Sequence, residues 1–279
     1  MKKFLAVFDG YRFTKSTAQY AVELAAAAGA HLVAVFPNDP VYRTYHIAQV
    51  YKKFEEPEAE LQRLDEKDRQ RMERSMAQLK QICKKAGIPF SVRRDKGFAL
   101  PELKQESMFA DLLLLYEGEA FSNYRQAPPT RFIRELLADV QCPVLLVPAL
   151  YKKIDAITLL YDGSPAAVYA VKMFSYVLGN LSAIPVEVFT VQDRNTSLRN
   201  TETELFREFI RQHFPAARFK VVKGEAEDRI LRHLHTHTAN ELVVLGAYQR
   251  TELSRFFRPS MADVLMRVLD TPLFVAHAK

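Results

Sequence analysis

Apolar residues recur along the chain in short runs of strand length, separated by stretches with helical spacing. The first run, residues 2–8, is followed by a stretch whose apolar side chains share one helical face before Gly29: Ala18, Ala21, Val22, Ala25 and Ala28. A second apolar run follows at residues 31–36. Continued alternation of this kind predicts a parallel sheet covered by helices on both faces, because each crossover has to pass over the sheet.

The same order recurs in the second half of the chain. Gly10 and Gly163 are 153 residues apart, and so are Phe36 and Phe189. Further along, the offset between Gly97 and Gly224 is 127 residues, so the first half has 26 more residues between its second and third strands. Two segments in register over this length indicate an internal duplication. Each copy is predicted to contain five strands alternating with four helices.

The extra residues of the first half lie within 37–87. Apolar residues repeat there at helical spacing among mixed charges, which predicts one long amphipathic helix after an aromatic segment that contains Tyr42, Tyr45 and Tyr51. Residues 41–85 either offer a surface to a protein partner or cover a flank of the first sheet. Because the helix is predicted in one half only, we expect it to carry what is particular to this protein.

Two domains of ordinary size are predicted, at residues 1–150 and 151–279, with the boundary near Lys152-Lys153. The linker is short. We therefore expect the two halves to pack together as an intramolecular pseudo-dimer, and a further homodimer is open.

Composition narrows the class of protein. With 48% hydrophobic and 26% charged residues the chain is expected to be globular, and its net charge of +6 is spread along the sequence, which does not favour nucleic acid as a partner. No stretch approaches the ~20 apolar residues of a membrane span, and the N-terminal apolar run is too short for a signal peptide, so a cytoplasmic location is expected. Cys83 and Cys142 fall at predicted core positions rather than in a disulfide framework.

The most specific motif is the stretch 241–277, which reads as a strand, a loop, a helix and a second strand. Together with Asp9 and Asp162 at the ends of the first strands, and Gly97 and Gly224 after the third, it resembles the universal stress protein (UspA-like) family in its tandem form. The resemblance implies two tandem Rossmann-like domains (adenine nucleotide alpha hydrolase-like), each an α/β unit with a five-stranded parallel sheet flanked by helices. It also implies a role in the stress response.

Nucleotide-binding members of that family have the pattern G-x2-G-x9-G-(S/T) after the fourth strand. In this chain Gly246 fills the first position and Ser260 retains the hydroxyl, whereas Gln249 and Pro259 replace the other two glycines. Glycine lets the backbone approach a phosphate closely, while proline removes one N–H donor. The substitutions therefore alter the expected phosphate seat.

The parts of the phosphate-binding site that remain are a helix N-terminus, the Ser260 hydroxyl and two cations, Arg250 and Arg255. Arginine binds phosphate in a bidentate manner, so an altered anion site is one reading. The other is that both arginines are solvated or pair with Glu252 and Asp263. No cofactor is required by this reading, and ATP is allowed as a ligand. The nucleotide or anion site proposed on the resemblance comprises Asp162, Gly163, Gly246, Arg250, Arg255 and Ser260.

Asp9 and Asp162 follow the first strand of each half. In nucleotide-binding relatives the matching carboxylate lies near the base and ribose, whereas Asp-Gly also makes a turn and caps the next helix without any ligand. For Asp162, both a contact with a nucleotide and a helix cap are possible interpretations. For Asp9, the helix cap is favoured. The first-half loop places Glu117 and Glu119 where a phosphate would lie, so that site is expected to be degenerate and to serve as a packing partner.

Candidate catalytic and metal groups are few. His233 and His237 share a helical face, but His235 and its neighbours supply no glutamate of the H-E-x-x-H type, which favours a solvated face over a zinc site.

The leading hypothesis is a non-enzymatic stress-response binding or interaction protein. A nucleotide or anion site in the C-terminal half is the alternative, and slow nucleotide hydrolysis, for which no base can be named, is a third.

Overall fold

The computed structural model describes residues 1–38, 42–122, 124, 126–192, 200–236, 240–246 and 260–276. The first half begins with a buried strand and alternates strands with helices, but its described residues form five helices where four were predicted, since two helices lie between its second and third strands. Its strands are β1 (Lys3–Val7), β2 (His31–Asn38), β3 (Phe90–Lys96), β4 (Leu112–Tyr116) and β5 (Val144–Val147). Its helices are α1 (Lys15–Ala28), α2 (Ile47–Lys53), α3 (Pro57–Ala86), α4 (Ala99–Ser107) and α5 (Arg131–Asp139).

The second half repeats this order. Its strands are β6 (Ala156–Leu160), β7 (Val186–Gln192), β8 (Arg218–Lys223), β9 (Glu241–Gly246) and β10 (Leu273–Ala276). Its helices are α6 (Pro165–Val177), α7 (Asn200–His213), α8 (Ala226–Thr236) and α9 (Met261–Val268), with a short 3₁₀ helix at Gly179–Ala183.

All ten strands form one sheet in the order β3-β2-β1-β4-β5-β10-β9-β6-β7-β8. The strands of each half are parallel, and the halves meet where β5 pairs with β10 in the antiparallel direction. The carboxyl ends of the first-half strands therefore lie at the same edge as the amino ends of the second-half strands. The predicted α/β fold class, with a five-stranded parallel sheet in each half, is confirmed.

The core lies on both faces of this sheet. The runs LLLLY in β4 and ELVVLG in β9 are buried almost throughout, as expected for central parallel strands. Both cysteines are buried and free, and burial raises the thiol pKa of Cys83 to about 11 and of Cys142 to about 12. Hydrogen bonds also join the halves: the Tyr20 hydroxyl donates to the carbonyl of Lys152, and Lys2 Nζ donates to the carbonyl of Val177.

Backbone geometry supports the duplication. Gly97 and Gly224, which end β3 and β8, both have positive φ, at 155° and 144°. A side chain is strained in that region, so the same glycine is needed in both copies. None of the helices in the described ranges is long and apolar enough to span a membrane.

The extra residues of the first half differ in part from the prediction. The long amphipathic helix exists as α3, with Met72, Leu79 and Cys83 buried along one side. It is not an added helix, however, because α7 occupies the equivalent place before β8, with 14 residues against 30 in α3. The rest of the excess forms the segment around α2. A helical-spacing pattern cannot distinguish a lengthened helix from an inserted one.

Candidate functional site

The first half contains a cavity of about 460 Å³ at the carboxyl ends of β1 and β4. Crevices at this edge of a parallel sheet are where such folds bind ligands, and the volume lies in the range of small-molecule pockets. Mostly polar residues line it: Asp9, Arg12, Thr14, Tyr116, Gly118, Glu119, Ala120, Ser122, Tyr124, Gln126 and Pro128.

Asp9 is 4% exposed and both of its carboxylate oxygens accept hydrogen bonds. Oδ1 accepts from the Tyr11 N–H at 2.8 Å, and Oδ2 accepts from the Tyr42 hydroxyl at 2.6 Å. Burial raises the pKa of this carboxyl, although the two hydrogen bonds and Arg12 oppose the shift. The predicted turn is present, but the predicted cap is wrong: Thr14 occupies the N-cap position of α1, because the helix begins later than the dipeptide allows.

Glu119 is 6% exposed and sits in the loop after β4. Its Oε1 accepts from the N–H groups of Ala120 at 3.0 Å and Phe121 at 3.2 Å. Within the part of the chain that the structure describes, no hydrogen bond reaches Oε2. Burial first, and the charge of Asp9 second, raise the pKa of Glu119 to about 7. The cavity is thus lined by a carboxyl group whose pKa is raised toward neutral pH and whose Oε2 has no hydrogen-bond partner among the described residues.

Glu117 takes a different place from Glu119. It is 5% exposed but does not line the cavity, and burial together with the charge of Asp270 raises its pKa to about 8. Its Oε2 is buried without a hydrogen-bond partner among the described residues. Of the two acidic residues expected to face a phosphate, only Glu119 faces the cavity.

The segment before α2 packs against the loop after β4 that borders this cavity. The Tyr42 ring packs edge-on against Phe121, with ring centroids 6.2 Å apart, and His46 lies 5.2 Å from Tyr124. Thr44 anchors the segment to α3, donating from its N–H and its hydroxyl to Asp68 at 3.0 and 2.6 Å. Sequence reasoning missed the role of Tyr42 in the site, although the aromatic character of the segment was visible.

In the second half the equivalent Asp162 is exposed. Its Oδ1 accepts from the Ser164 N–H at 2.9 Å, and Ser164 caps α6 by accepting from the Ala167 N–H at 3.2 Å. Gly163 between them has φ of 82°. Asp162 therefore makes the predicted turn but is not the cap, and its carboxylate faces solvent.

Gly246 and Ser260 flank the second-half loop. A Cβ on Gly246 would lie 2.4 Å from the backbone carbon of Ala166, so β9 approaches α6 too closely for any side chain. Ser260 is the predicted cap of α9: its Oγ accepts from the Asp263 N–H, and Asp263 Oδ2 accepts from the Ser260 N–H, both at 3.1 Å. Gln249, Arg250, Glu252, Arg255 and Pro259 lie outside the described residues.

The histidines of α8 do not share one environment. His233 is buried, stacks on Phe189 at 3.9 Å between ring centroids, and has Nε2 2.7 Å from Glu187 Oε1. The expected solvated face is therefore wrong for His233, because α8 packs this residue on β7. His235 is exposed, and His237 lies outside the described residues. Over those residues no group of three His, Cys, Asp or Glu side chains is arranged to hold a metal ion.

Comparison with known proteins identifies the fold. No family model and no curated protein sequence matches the chain. A universal stress protein from Archaeoglobus fulgidus DSM 4304 superposes with a TM-score of 0.67 at 14% identity, over 99% of this chain and 98% of that one. A protein of unknown function from Pseudomonas aeruginosa PAO1 superposes with a TM-score of 0.62 at 14% identity, over 99% and 92%. The predicted resemblance to universal stress proteins is confirmed as a likeness of fold over the full length.

Proposed function

We propose that the protein is a non-enzymatic binding protein of the universal stress type that takes a small polar ligand into the cavity of the first half. The observation that carries this proposal is the cavity itself, which has ligand size, polar walls and two buried carboxyl groups. We also propose a role in the stress response, which the family resemblance supports, and a cytoplasmic location, as expected from the sequence.

The hydroxyl groups of the cavity favour binding over catalysis. Thr14 Oγ1 donates to the carbonyl of Arg12, and Ser122 Oγ accepts from the Tyr124 N–H. Neither hydroxyl has a hydrogen bond to Asp9 or Glu119 in the described part of the chain. A nucleophile needs a base within hydrogen-bond reach, and this arrangement does not supply one.

A variant that fills the cavity tests the proposal. Ser122→Tyr places a ring in the wall of the cavity, and Ser182→Tyr makes the same change at an exposed serine of the 3₁₀ helix. We would titrate both, and the original chain, calorimetrically with a neutral nucleoside, the dication agmatine, and ATP with magnesium. At least one ligand should bind, and Ser122→Tyr alone should weaken it at least tenfold. Equal effects of the two variants, or no binding by any ligand, would contradict the proposal.

A second candidate is the nucleotide or anion site of the second half. It is favoured by the exposed carboxylate of Asp162 beside a helix N-terminus, where the equivalent Asp9 is already engaged by Tyr42. Against it, Asp263 brings a carboxylate to the N-terminus of α9, which competes with a phosphate for that helix end. The site would comprise Asp162, Gly163, Gly246, Arg250, Arg255 and Ser260.

Titration with ATP and magnesium decides this second candidate. If ATP binds there, Ser260→Ala and Arg250→Ala should each weaken binding, while Ser122→Tyr should not. Absence of heat and of a thermal shift at millimolar ATP would exclude it. Phosphate release measured in the same samples tests slow hydrolysis, and a rate equal to that of buffer alone would exclude that activity.

The interaction role rests on two further proposals. The outer side of α3 carries exposed ion pairs such as Arg69 with Glu66, and we propose that the exposed side chains within residues 41–85 bind a protein partner. Such exposed pairs contribute little to stability, so they are free to exchange for intermolecular contacts. Sedimentation of the purified chain over a concentration series tests the proposed homodimer.

A further inference from the structure

We infer that the cavity of the first half selects a small organic cation carrying amino or guanidinium groups, with Glu119 as the group that binds it directly. This inference rests on the proposed function and names the ligand class of the same site. It concerns the acidic walls that are particular to this half, and it excludes a phosphate as the preferred ligand.

In the cavity, the acidic groups are buried and the described cation is exposed. Asp9 and Glu119 are almost completely buried, whereas Arg12, the one cation among the described residues that line the cavity, is exposed. Charges interact more strongly in the interior than at the surface, where water screens them. A ligand inside the cavity therefore meets two acidic groups at close quarters and a screened guanidinium at the rim.

The two buried carboxyl groups also differ in how many hydrogen bonds they can still accept from a ligand. Each carboxylate oxygen of Asp9 already accepts a hydrogen bond, Oδ1 from the Tyr11 N–H and Oδ2 from the Tyr42 hydroxyl. Glu119 has Oε1 held by two backbone N–H groups, while Oε2 receives no hydrogen bond from a described residue. An ionised carboxylate only accepts hydrogen bonds. Ammonium and guanidinium groups supply both the donors and the opposite charge, and a phosphate supplies neither.

The titration of Glu119 should make cation binding depend on pH. The titratable and charged groups around it are Asp9 and Arg12 from the β1–α1 connection, Tyr42 from the segment before α2, and Tyr116 from β4, with Glu117 and Asp270 beyond the cavity wall. Its pKa of about 7 leaves it mainly protonated at pH 6 and mainly ionised at pH 8. A cation binds the ionised form, so binding should release a proton at pH 6.

Agmatine, which carries a guanidinium and an ammonium group, is the probe. We would measure its affinity for the full chain at pH 6, 7 and 8 by calorimetry, in two buffers with different heats of ionisation. The dissociation constant should fall about tenfold from pH 6 to pH 8, since a group with a pKa near 7 changes its ionised fraction by that factor. Buffer-dependent heat should reveal proton release at pH 6 and almost none at pH 8.

Glu119→Gln retains the shape of the side chain and removes its charge. This variant should weaken agmatine binding at least tenfold at pH 8 and abolish the pH dependence, whereas Glu135→Gln, at a partly exposed glutamate that pairs with Arg131 on α5 of the same half, should change neither. Thermal melting of both variants shows whether they are folded. An affinity that does not change with pH, or equal binding by Glu119→Gln, would overturn the inference.

The ligand panel separates this inference from the proposed function. If the nucleoside or ATP binds and Ser122→Tyr weakens that binding, while agmatine does not bind at millimolar concentration, the cation class is wrong and the binding function stands. If no member of the panel binds, both are wrong.

Discussion

The two halves place the same dipeptide, Asp-Gly, after their first strands and use it differently. Asp9 is buried and accepts a hydrogen bond from Tyr42, whereas Asp162 is exposed and makes only its local turn. The difference comes from the segment before α2, which delivers Tyr42 to the first half. The same turn therefore forms part of the buried, acidic wall of a cavity in the first half and lies on the surface in the second half.

The glycines of these dipeptides also differ in purpose. A Cβ on Gly10 would lie 1.9 Å from the sulfur of Met72, so the absence of a side chain at this glycine leaves room for the buried Met72 side chain of α3. Gly163 instead has φ of 82°, a conformation that side chains rarely adopt. At the end of the fourth strand the contrast is larger, because Gly246 touches the α6 backbone where the first half has Tyr116 facing the cavity.

The largest expected effect is at this last position. Gly246→Ala forces a Cβ against the backbone of Ala166, which cannot move as a side chain can, so we expect a loss of about 3 kcal/mol in the free energy of unfolding. Urea denaturation measures it. Gly179→Ala, where nothing lies within 4 Å of the new Cβ, is the control and should change stability by less than about 1 kcal/mol. A similar loss in both variants would show that the close approach of β9 to α6 is not the cause.

The buried carboxyls of the first half should make stability depend on pH. Glu117 and Glu119 have pKa values raised to about 8 and about 7 from 4.5, so the folded state retains protons that the unfolded state releases. Their contribution to stability is present below about pH 4.5 and is lost as pH rises toward 8. Glu117→Gln should therefore become more stable relative to the original chain, by up to a few kcal/mol, as the pH rises from 5 to 8.5.

The same urea series at both pH values measures this difference. Glu135→Gln, at a partly exposed position of α5, should follow the pH profile of the original chain. If Glu117→Gln also follows that profile, the pKa of Glu117 is not raised in the folded state and the expected loss of stability does not come from this carboxyl.

A smaller effect is expected at Gly10. Gly10→Ala should cost about 2 kcal/mol because the new Cβ has to displace Met72, although a methionine side chain adapts more readily than backbone. Gly163→Ala should cost about 1 kcal/mol because of its positive φ. In the double variant with Met72→Ala, the cost of Gly10→Ala should shrink, while that of Gly163→Ala should not. Additive costs at Gly10 and Met72 would contradict the contact.

The smallest effect concerns Tyr42. Tyr42→Phe removes the hydroxyl that donates to Asp9 and should cost about 1 kcal/mol, the usual net value of such a hydrogen bond. Tyr51→Phe, whose hydroxyl reaches Glu58 at 3.3 Å on the exposed surface, should cost less. Thermal denaturation at pH 7 compares the two. Equal melting temperatures would mean that the Tyr42 to Asp9 bond adds nothing to the first half.

Much of the fold was predictable because it depends on local periodicity and on the duplication. The alternation of strands and helices, the turn glycines Gly29 and Gly97, and the Ser260 cap all appear as expected. The joining of the halves into one sheet through β5 and β10 was not predicted, since the edge that a strand presents to another sheet leaves no periodic signal. The domain limits at 1–150 and 151–279 stay a prediction.

The site was predicted less well. Reasoning from the family motif directed attention to the second-half loop, whereas the cavity lies in the half that departs from the motif. The bond between Tyr42 and Asp9 joins residues 33 positions apart across a helical excursion, and no spacing rule connects them. Glu119 was noticed only as a group that repels phosphate, because its burial depends on how the loop after β4 folds back.

A crystal structure of the protein grown with both agmatine and ATP tests the central claim most directly, because it shows which of the two crevices takes a ligand. We expect density for agmatine in the first-half cavity, with one of its nitrogen atoms about 3 Å from Glu119 Oε2, the hydrogen-bond distance for such a pair. An empty first-half cavity together with nucleotide density beside Asp162 and Ser260 would contradict the account and assign the ligand to the second half.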